Sequence, residues 1–157
     1  MEKEVIIERA GDEASNGSDA EAKLCIWLVD DDPCYCELLT CLLNADPRVD
    51  CLRSFSSASS LLAVLRQKTP PDAILMDVHM PVMNGIEAIR PIKHLSPSTM
   101  VLMLTTFLDH ESKEQALVSG AVDFLLKRNS SAQIIAAILA ASVRSSSACR
   151  ANLQSLR

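Results

Sequence analysis

Leu24-Cys25-Ile26-Trp27-Leu28-Val29 is an unbroken apolar run that stops on Asp30-Asp31-Asp32-Pro33. A short run of this kind, bounded by a turn signal, fits a parallel strand buried on both faces. Asp32 then offers a side-chain oxygen as a helix N-cap, and Pro33 suits the first helical turn. Three further runs share the pattern. Ala73-Ile74-Leu75-Met76 stops on Asp77, Met100-Val101-Leu102-Met103-Leu104 on Thr105, and Phe124-Leu125-Leu126 on Lys127. As parallel strands of one sheet, these runs bring three carboxylates, a hydroxyl and an ammonium to its carboxyl edge, where open α/β sheets bind ligands.

Outward from these runs, the spacing predicts a helix over 33–44 with Leu38, Leu39, Leu42 and Leu43 on its buried face. Residues 49–55 read as a weaker strand near an edge. The serines from Ser56 to Ser60 open a helix with Leu61, Leu62 and Leu65 inward, ended by Pro70-Pro71. Residues 80–85 form a loop before a helix over 85–94, which Pro91 is expected to kink or shorten because it lacks the donor N–H. A helix over 109–119 takes Gly120 as its C-cap. Ser130-Ser131-Ala132-Gln133 fits a capping box, and Ile134, Ile135, Ile138 and Leu139 line one face of the last helix. Five strand–helix pairs in strict alternation predict an α/β fold, a parallel sheet with helices on both faces.

The 157 residues, 48% of them hydrophobic, suit one domain with an ordinary core. No apolar stretch approaches the ~20 residues of a membrane span. Residues 1–23 hold seven acids against three bases, four of the five net negative charges, and read as an acidic flexible tail. The remaining body is near neutral, without the basic surplus that duplex DNA demands, so neither nucleic acid nor membrane is an expected partner. Lacking a basic start followed by an apolar stretch, the N-terminal segment is not a signal peptide, and a cytoplasmic location with reduced cysteines is expected. Cys25 and Cys51 fall in strands, Cys34, Cys36 and Cys41 in the first helix, and Cys149 in a loose tail expected from 145 onward. With no C-x-x-C pair and no metal-ligand spacing to the histidines, all six read as small apolar packers, Cys149 being the most exposed.

The strand-end groups have a shared chemistry. Adjacent carboxylates such as Asp30 and Asp31 suit Mg²⁺, a hard cation that prefers oxygen ligands. Asp77, presented at a rim between a strand and a loop, can act as a nucleophile toward phosphorus and form an acyl phosphate. Phosphoryl transfer chiefly needs the charge on the phosphoryl oxygens to be neutralised. The cation, Lys127 and the Thr105 hydroxyl would each face a different one.

In four stretches the chain resembles the receiver domain of two-component response regulators. They are Val29-Asp30-Asp31-Asp32-Pro33, Met76-Asp77-Val78-His79-Met80-Pro81-Val82-Met83-Asn84-Gly85, Leu104-Thr105-Thr106-Phe107, and Gly120-Ala121-Val122-Asp123-Phe124-Leu125-Leu126-Lys127. The resemblance implies a flavodoxin-like, doubly wound five-stranded sheet of order 2-1-3-4-5 over residues 24–144, between the tail of 1–23 and a tail or linker of 145–157. It implies phosphoryl transfer to Asp77 from a sensor histidine kinase or a phosphotransfer protein. Asp31 would be a direct Mg²⁺ ligand, Asp30 would act partly through water, and the backbone carbonyl of His79 would complete the protein's share. Thr105 would swing toward the phosphoryl group and Phe124 turn inward behind it, remodelling the surface of the last two helices and the last strand for a partner or a second copy. Such a domain is a switch with self-catalysed transfer and slow hydrolysis rather than an enzyme. His79 stands where receivers tune that hydrolysis. Arg128 replaces a common proline, so no cis peptide is expected after Lys127. The likeness is greatest to receivers joined to a helix-turn-helix domain, although none lies within these residues.

Phosphatases of the haloacid-dehalogenase type use the same residue types, but with the nucleophile in an Asp-x-Asp motif on the first strand and the acid pair last. A nucleotide-binding domain would want a glycine-rich loop, and the four glycines here are widely separated. The remaining rival is a receiver-like interaction module that is never phosphorylated.

Overall fold

The computed structural model describes residues 22–154, with side chains to Ser146. The acidic stretch of 1–21 and the side chain of Cys149 lie outside the described residues. Strands and helices alternate as β1 (Leu24–Val29), α1 (Pro33–Asn44), β2 (Val49–Phe55), α2 (Ala58–Leu65), β3 (Ala73–Asp77), α3 (Gly85–Leu95), β4 (Met100–Thr105), α4 (His110–Ser119), β5 (Asp123–Leu126) and α5 (Ser131–Gln154). The strands form one sheet in the order β2-β1-β3-β4-β5, and every pair is parallel. The expected architecture is the observed one, with β2 at an edge.

Side chains alternate across the sheet, so each strand feeds two cores. Trp27 and Val29 of β1, Ile74 and Met76 of β3, and Val101 and Met103 of β4 pack with Leu61, Leu62, Ile89 and Ile92 from α2 and α3. Ile26 and Leu28, Ala73 and Leu75, and Leu102 and Leu104 pack on the other face with Leu39 and Leu43 of α1 and Ile134 and Ile138 of α5. The central strands are therefore apolar up to their carboxyl ends, where β3 finishes on Asp77 and β4 on Thr105.

Local signals set the helix ends. Asp32 Oδ1 accepts from the amides of Cys34 and Tyr35 at the start of α1. Gly120 takes φ 112°, the left-handed cap that ends α4. Ser130 and Gln133 make the reciprocal bonds of a capping box. An unanticipated second box opens α3, where Asn84 and Glu87 bond each other's amides.

Four expectations are corrected. The stripe α1 buries is Cys36, Leu39 and Leu43, at i, i+3 and i+7, while Leu38 and Leu42 are 59% and 42% exposed. A single stripe docks on the sheet, so neighbours one position off it face outward. Cys34 and Cys41 are exposed rather than packed, whereas Cys36 and Cys51 are buried. Of the kink or shortening expected at Pro91, the shortening does not occur, since α3 continues to Leu95. Pro91 lies on the partly buried face, flanked by Ile89 and Ile92 in the core, and that packing holds the helix despite the missing donor. Finally, helix α5 runs to Gln154 where a loose tail was expected from 145. Its serines fit the helix because Ser142 and Ser146 hydroxyls donate to the carbonyls of Leu139 and Ser142.

The corrected stripe of α1 is measurable. Leu43→Ala should destabilise the fold by about 2–5 kcal/mol in denaturant unfolding, as for a fully buried leucine. Leu42→Ala should cost less than about 1 kcal/mol, as for an exposed position; equal losses would contradict the assigned face.

Candidate functional site

The sheet order reverses between β1 and β3, which both start crossovers away from each other; such a switch point leaves a crevice at the carboxyl ends of the strands. Val29 of β1 is in register with Met76 of β3, so the residues that follow, Asp30 and Asp77, stand side by side at this crevice. Asp30 is 1% exposed and Asp77 3% exposed, while Asp31 is exposed at the rim. One carboxylate oxygen from each of the three lies within 4.8 Å of the others.

β4 and β5 bring the remaining groups. Thr105 is in register with Leu126, and the amide of Lys127 donates to the carbonyl of Thr105 at 2.8 Å. From there the Lys127 ammonium reaches back across the crevice, 2.5 Å from Asp30 Oδ2 and 3.2 Å from Asp77 Oδ2. Asp30 Oδ1 accepts from the amide of Asp32 at 3.0 Å, whereas the partner of Oδ2 is the Lys127 ammonium. Burial pushes the Asp30 carboxyl up from its ordinary 3.8, and the Lys127 contact and Asp32 amide only partly offset it. Burial alone would lower Lys127, but its contacts with Asp30 and Asp77 outweigh that and leave it raised.

Two unit charges 4.8 Å apart repel by about 3–4 kcal/mol at an effective dielectric of 20. One ammonium against three ionised carboxylates leaves two negative charges in the crevice. The donor set is all oxygen, and the residual charge matches a divalent cation. These residues fit a hard cation such as Mg²⁺.

Thr105 is fully buried, and its hydroxyl is turned onto its own loop, donating to the carbonyl of Phe107 at 2.9 Å. Phe124 is 7% exposed and already packed into the core with Ala116 and Ala121. His79 is exposed in the loop after β3. That loop turns sharply. Met83 donates to the carbonyl of Pro81 at 2.8 Å across Val82, whose φ of 70° is unusual for a β-branched residue. Gly85 then starts α3 against the end of β3, its amide bonded to the carbonyl of Val78. A Cβ on Gly85 would overlap the carbonyl oxygen of Asp77 and come within 2.8 Å of Met76 Cγ. No peptide bond among the described residues is cis, as expected with Arg128 after Lys127.

The structure thus brings together Asp30, Asp31, Asp77 and Lys127, and places Thr105 one strand away with its hydroxyl engaged elsewhere. Two contributors went unread in the sequence. Gly85 carried a signal in its Asn-Gly pairing before a helix. Tyr35, whose ring lies 4.8 Å from the Lys127 ammonium, carried none.

The response regulator receiver domain family matches residues 26–139. The chain is 36% identical over 119 residues to the transcriptional regulatory protein YxjL of Bacillus subtilis (strain 168), covering 76% of this chain and 54% of that protein. It is 35% identical over 114 residues to the transcriptional regulatory protein LnrK of the same organism, covering 73% and 51%. The chain therefore spans about half the length of the curated relatives it matches. A solved two-component response regulator of the LuxR family, from Aurantimonas sp. SI85-9A1, superposes with a TM-score of 0.72 at 27% identity, over 78% of this chain and 86% of that one.

The raised Asp30 carboxyl sets a sign for pH dependence. Between 3.8 and its raised value, the folded chain holds a proton that the unfolded chain has released. Without divalent cations, this group makes stability fall as pH rises through that window. Asp30→Asn should remove that slope in urea unfolding at a series of pH values; an unchanged slope would assign it to another group.

Proposed function

Because the chain belongs to the response regulator receiver domain family, we propose that it takes a phosphoryl group on Asp77 in a two-component phosphorelay. The observation carrying this reading is the Lys127 ammonium seated between Asp30 and Asp77 at the switch point of the sheet. We assign the receiver unit to residues 24–144.

The donor is the phosphohistidine of a sensor histidine kinase or a phosphotransfer protein. An Asp77 carboxylate oxygen attacks phosphorus, a P–O bond forms, the P–N bond breaks, and the imidazole leaves as the neutral ring, keeping the proton already on its other nitrogen. Asp30, Asp31 and Asp77, with the backbone carbonyl of His79, would hold Mg²⁺, which supplies charge neutralisation at the phosphoryl oxygens. Lys127 faces a second oxygen from the β5 side. The Thr105 hydroxyl faces a third, exchanging its bond to the Phe107 carbonyl for one to the phosphoryl group. Exchanging one hydrogen bond for a charge-assisted one favours the move by about 1–2 kcal/mol. It also frees the loop over 106–109.

Phe124 needs no large turn to fill the space behind Thr105, since its ring already lies in the core. The loop, α4 and β5 are then the parts that carry the change to a partner, or to a second copy through the last two helices and last strand. α4 suits this role because Ala116 is its only buried residue, so little packing holds it. No helix among the described residues is long and apolar enough to cross a membrane. We place the chain in the cytoplasm, where its kinase domain partners and reduced thiols belong. Slow return of the phosphoryl group to water, tuned near His79, makes the chain a switch rather than a turnover enzyme.

Incubating the chain with acetyl phosphate and Mg²⁺ should add one acid-stable, base-labile phosphoryl group by intact-mass measurement. Asp77→Asn should abolish the addition, and Lys127→Ala should slow it by at least about tenfold, as for loss of one charge stabiliser. Label surviving Asp77→Asn would move the acceptor elsewhere; no label on the wild-type chain would favour an interaction module that is never phosphorylated.

A further inference from the structure

Tyr35 lies beside the carboxylates, near the start of α1, and the phosphoryl-transfer reading gives it no role. The centre of its ring is 4.8 Å from the Lys127 ammonium, within the range of a cation–π contact. Its hydroxyl is buried and has no hydrogen-bond partner among the described residues. The face of the ring is thus the part of this side chain with a visible polar partner, and that partner is the site's cation.

Lys127 has two kinds of anchor. Asp30 and Asp77 hold it by charge, but both carboxylates belong to the set that fits a divalent cation. Once those oxygens serve such a cation, their pull on the ammonium weakens, and the two cations repel. A lysine side chain carries about 2 kcal/mol of rotamer entropy, which favours release to solvent. Lys127 is at the rim with 19% of its side chain exposed, so a route outward exists. The ring of Tyr35 attracts the ammonium without competing for a single carboxylate oxygen.

We propose that Tyr35 is a positioning residue, whose ring face keeps the Lys127 ammonium over the crevice when Asp30 and Asp77 turn to a divalent cation. Lys127 thereby stays placed for the phosphoryl oxygen. The proposal rests on the phosphoryl-acceptor reading of the site. Burial pushes the Tyr35 hydroxyl up to about 12, so the ring is neutral at physiological pH and holds Lys127 by its face, not as a phenolate.

The test compares the wild-type chain with Tyr35→Phe, which keeps the ring, and Tyr35→Leu, which removes it. Labelling by acetyl phosphate should slow about three- to tenfold in Tyr35→Leu, the span of one cation–π contact, with the Mg²⁺ dissociation constant changed by less than about twofold. Tyr35→Phe should label at the wild-type rate. NMR gives a readout independent of the reaction. Protons above an aromatic face are shifted upfield, so the Lys127 ε-protons should stand upfield of other lysines in wild type and Tyr35→Phe, with and without Mg²⁺. In Tyr35→Leu they should not.

Equal slowing in Tyr35→Phe would transfer the role to the hydroxyl and overturn the proposal. So would unchanged labelling in Tyr35→Leu, or loss of the upfield shift when Mg²⁺ is added to the wild type. A wild-type chain that takes no label sinks the underlying reading instead, and the Lys127 shift then decides the ring contact on its own. Should Tyr35→Leu fail to fold, Tyr35→Met and the wild-type shift carry the same decision.

Discussion

Lys127 lies 2.5 Å from Asp30 and 3.2 Å from Asp77, and this contact between buried charges constrains the rest of the structure. Asp30 follows β1, Asp77 ends β3 and Lys127 follows β5, so the contact spans the sheet from its centre to its edge. It forms only when β4 is seated between β3 and β5, because the Lys127 amide hangs on the carbonyl of Thr105. A partly assembled sheet would leave carboxylates buried or crowded without their ammonium, a costly state. Site and fold are therefore one cooperative unit. The two apolar cores on either face give the stability that permits three acids to be held so closely.

Much of this was legible in the residues. Each apolar run ended on its functional group because a strand buried on both faces tolerates polar atoms only at its ends, where the crevice begins. Asp32, Gly120 and the Ser130–Gln133 pair declared their helix ends through local chemistry that needs no tertiary context. What escaped notice depends on how elements dock. Leu38 and Leu39 are equally apolar, and only the seating of α1 on the sheet decides that Leu39 is buried. Pro91 removes a local hydrogen bond, yet the burial of Ile89 and Ile92 keeps α3 whole. The serines near 145 resemble a linker by composition, but the helix continues through them, and the Ser142 and Ser146 hydroxyls bond back along it. Gly85 is needed because α3 starts against the Asp77 carbonyl, and Tyr35 matters through a lysine far along the chain.

Lys127 is held by carboxylates, the Thr105 hydroxyl by the Phe107 carbonyl, and Val82 keeps an unusual backbone conformation at the lip of the crevice. On the proposed function, each contact would gain a replacement once a phosphoryl group lies on Asp77, and the β4–α4 loop would be freed. A local change of charge would then become a change of surface on α4 and β5, since α4 is lightly anchored.

The most direct measurement of that account is an NMR titration of the chain with beryllofluoride, which mimics a phosphoryl group on a carboxylate, in the presence of Mg²⁺. The account predicts saturable, Mg²⁺-dependent binding that shifts the amide signals of Asp77, Thr105, Phe107 and Lys127 together with those along α4. Absence of binding at millimolar Mg²⁺, or binding that leaves Thr105 and α4 unmoved, would contradict it.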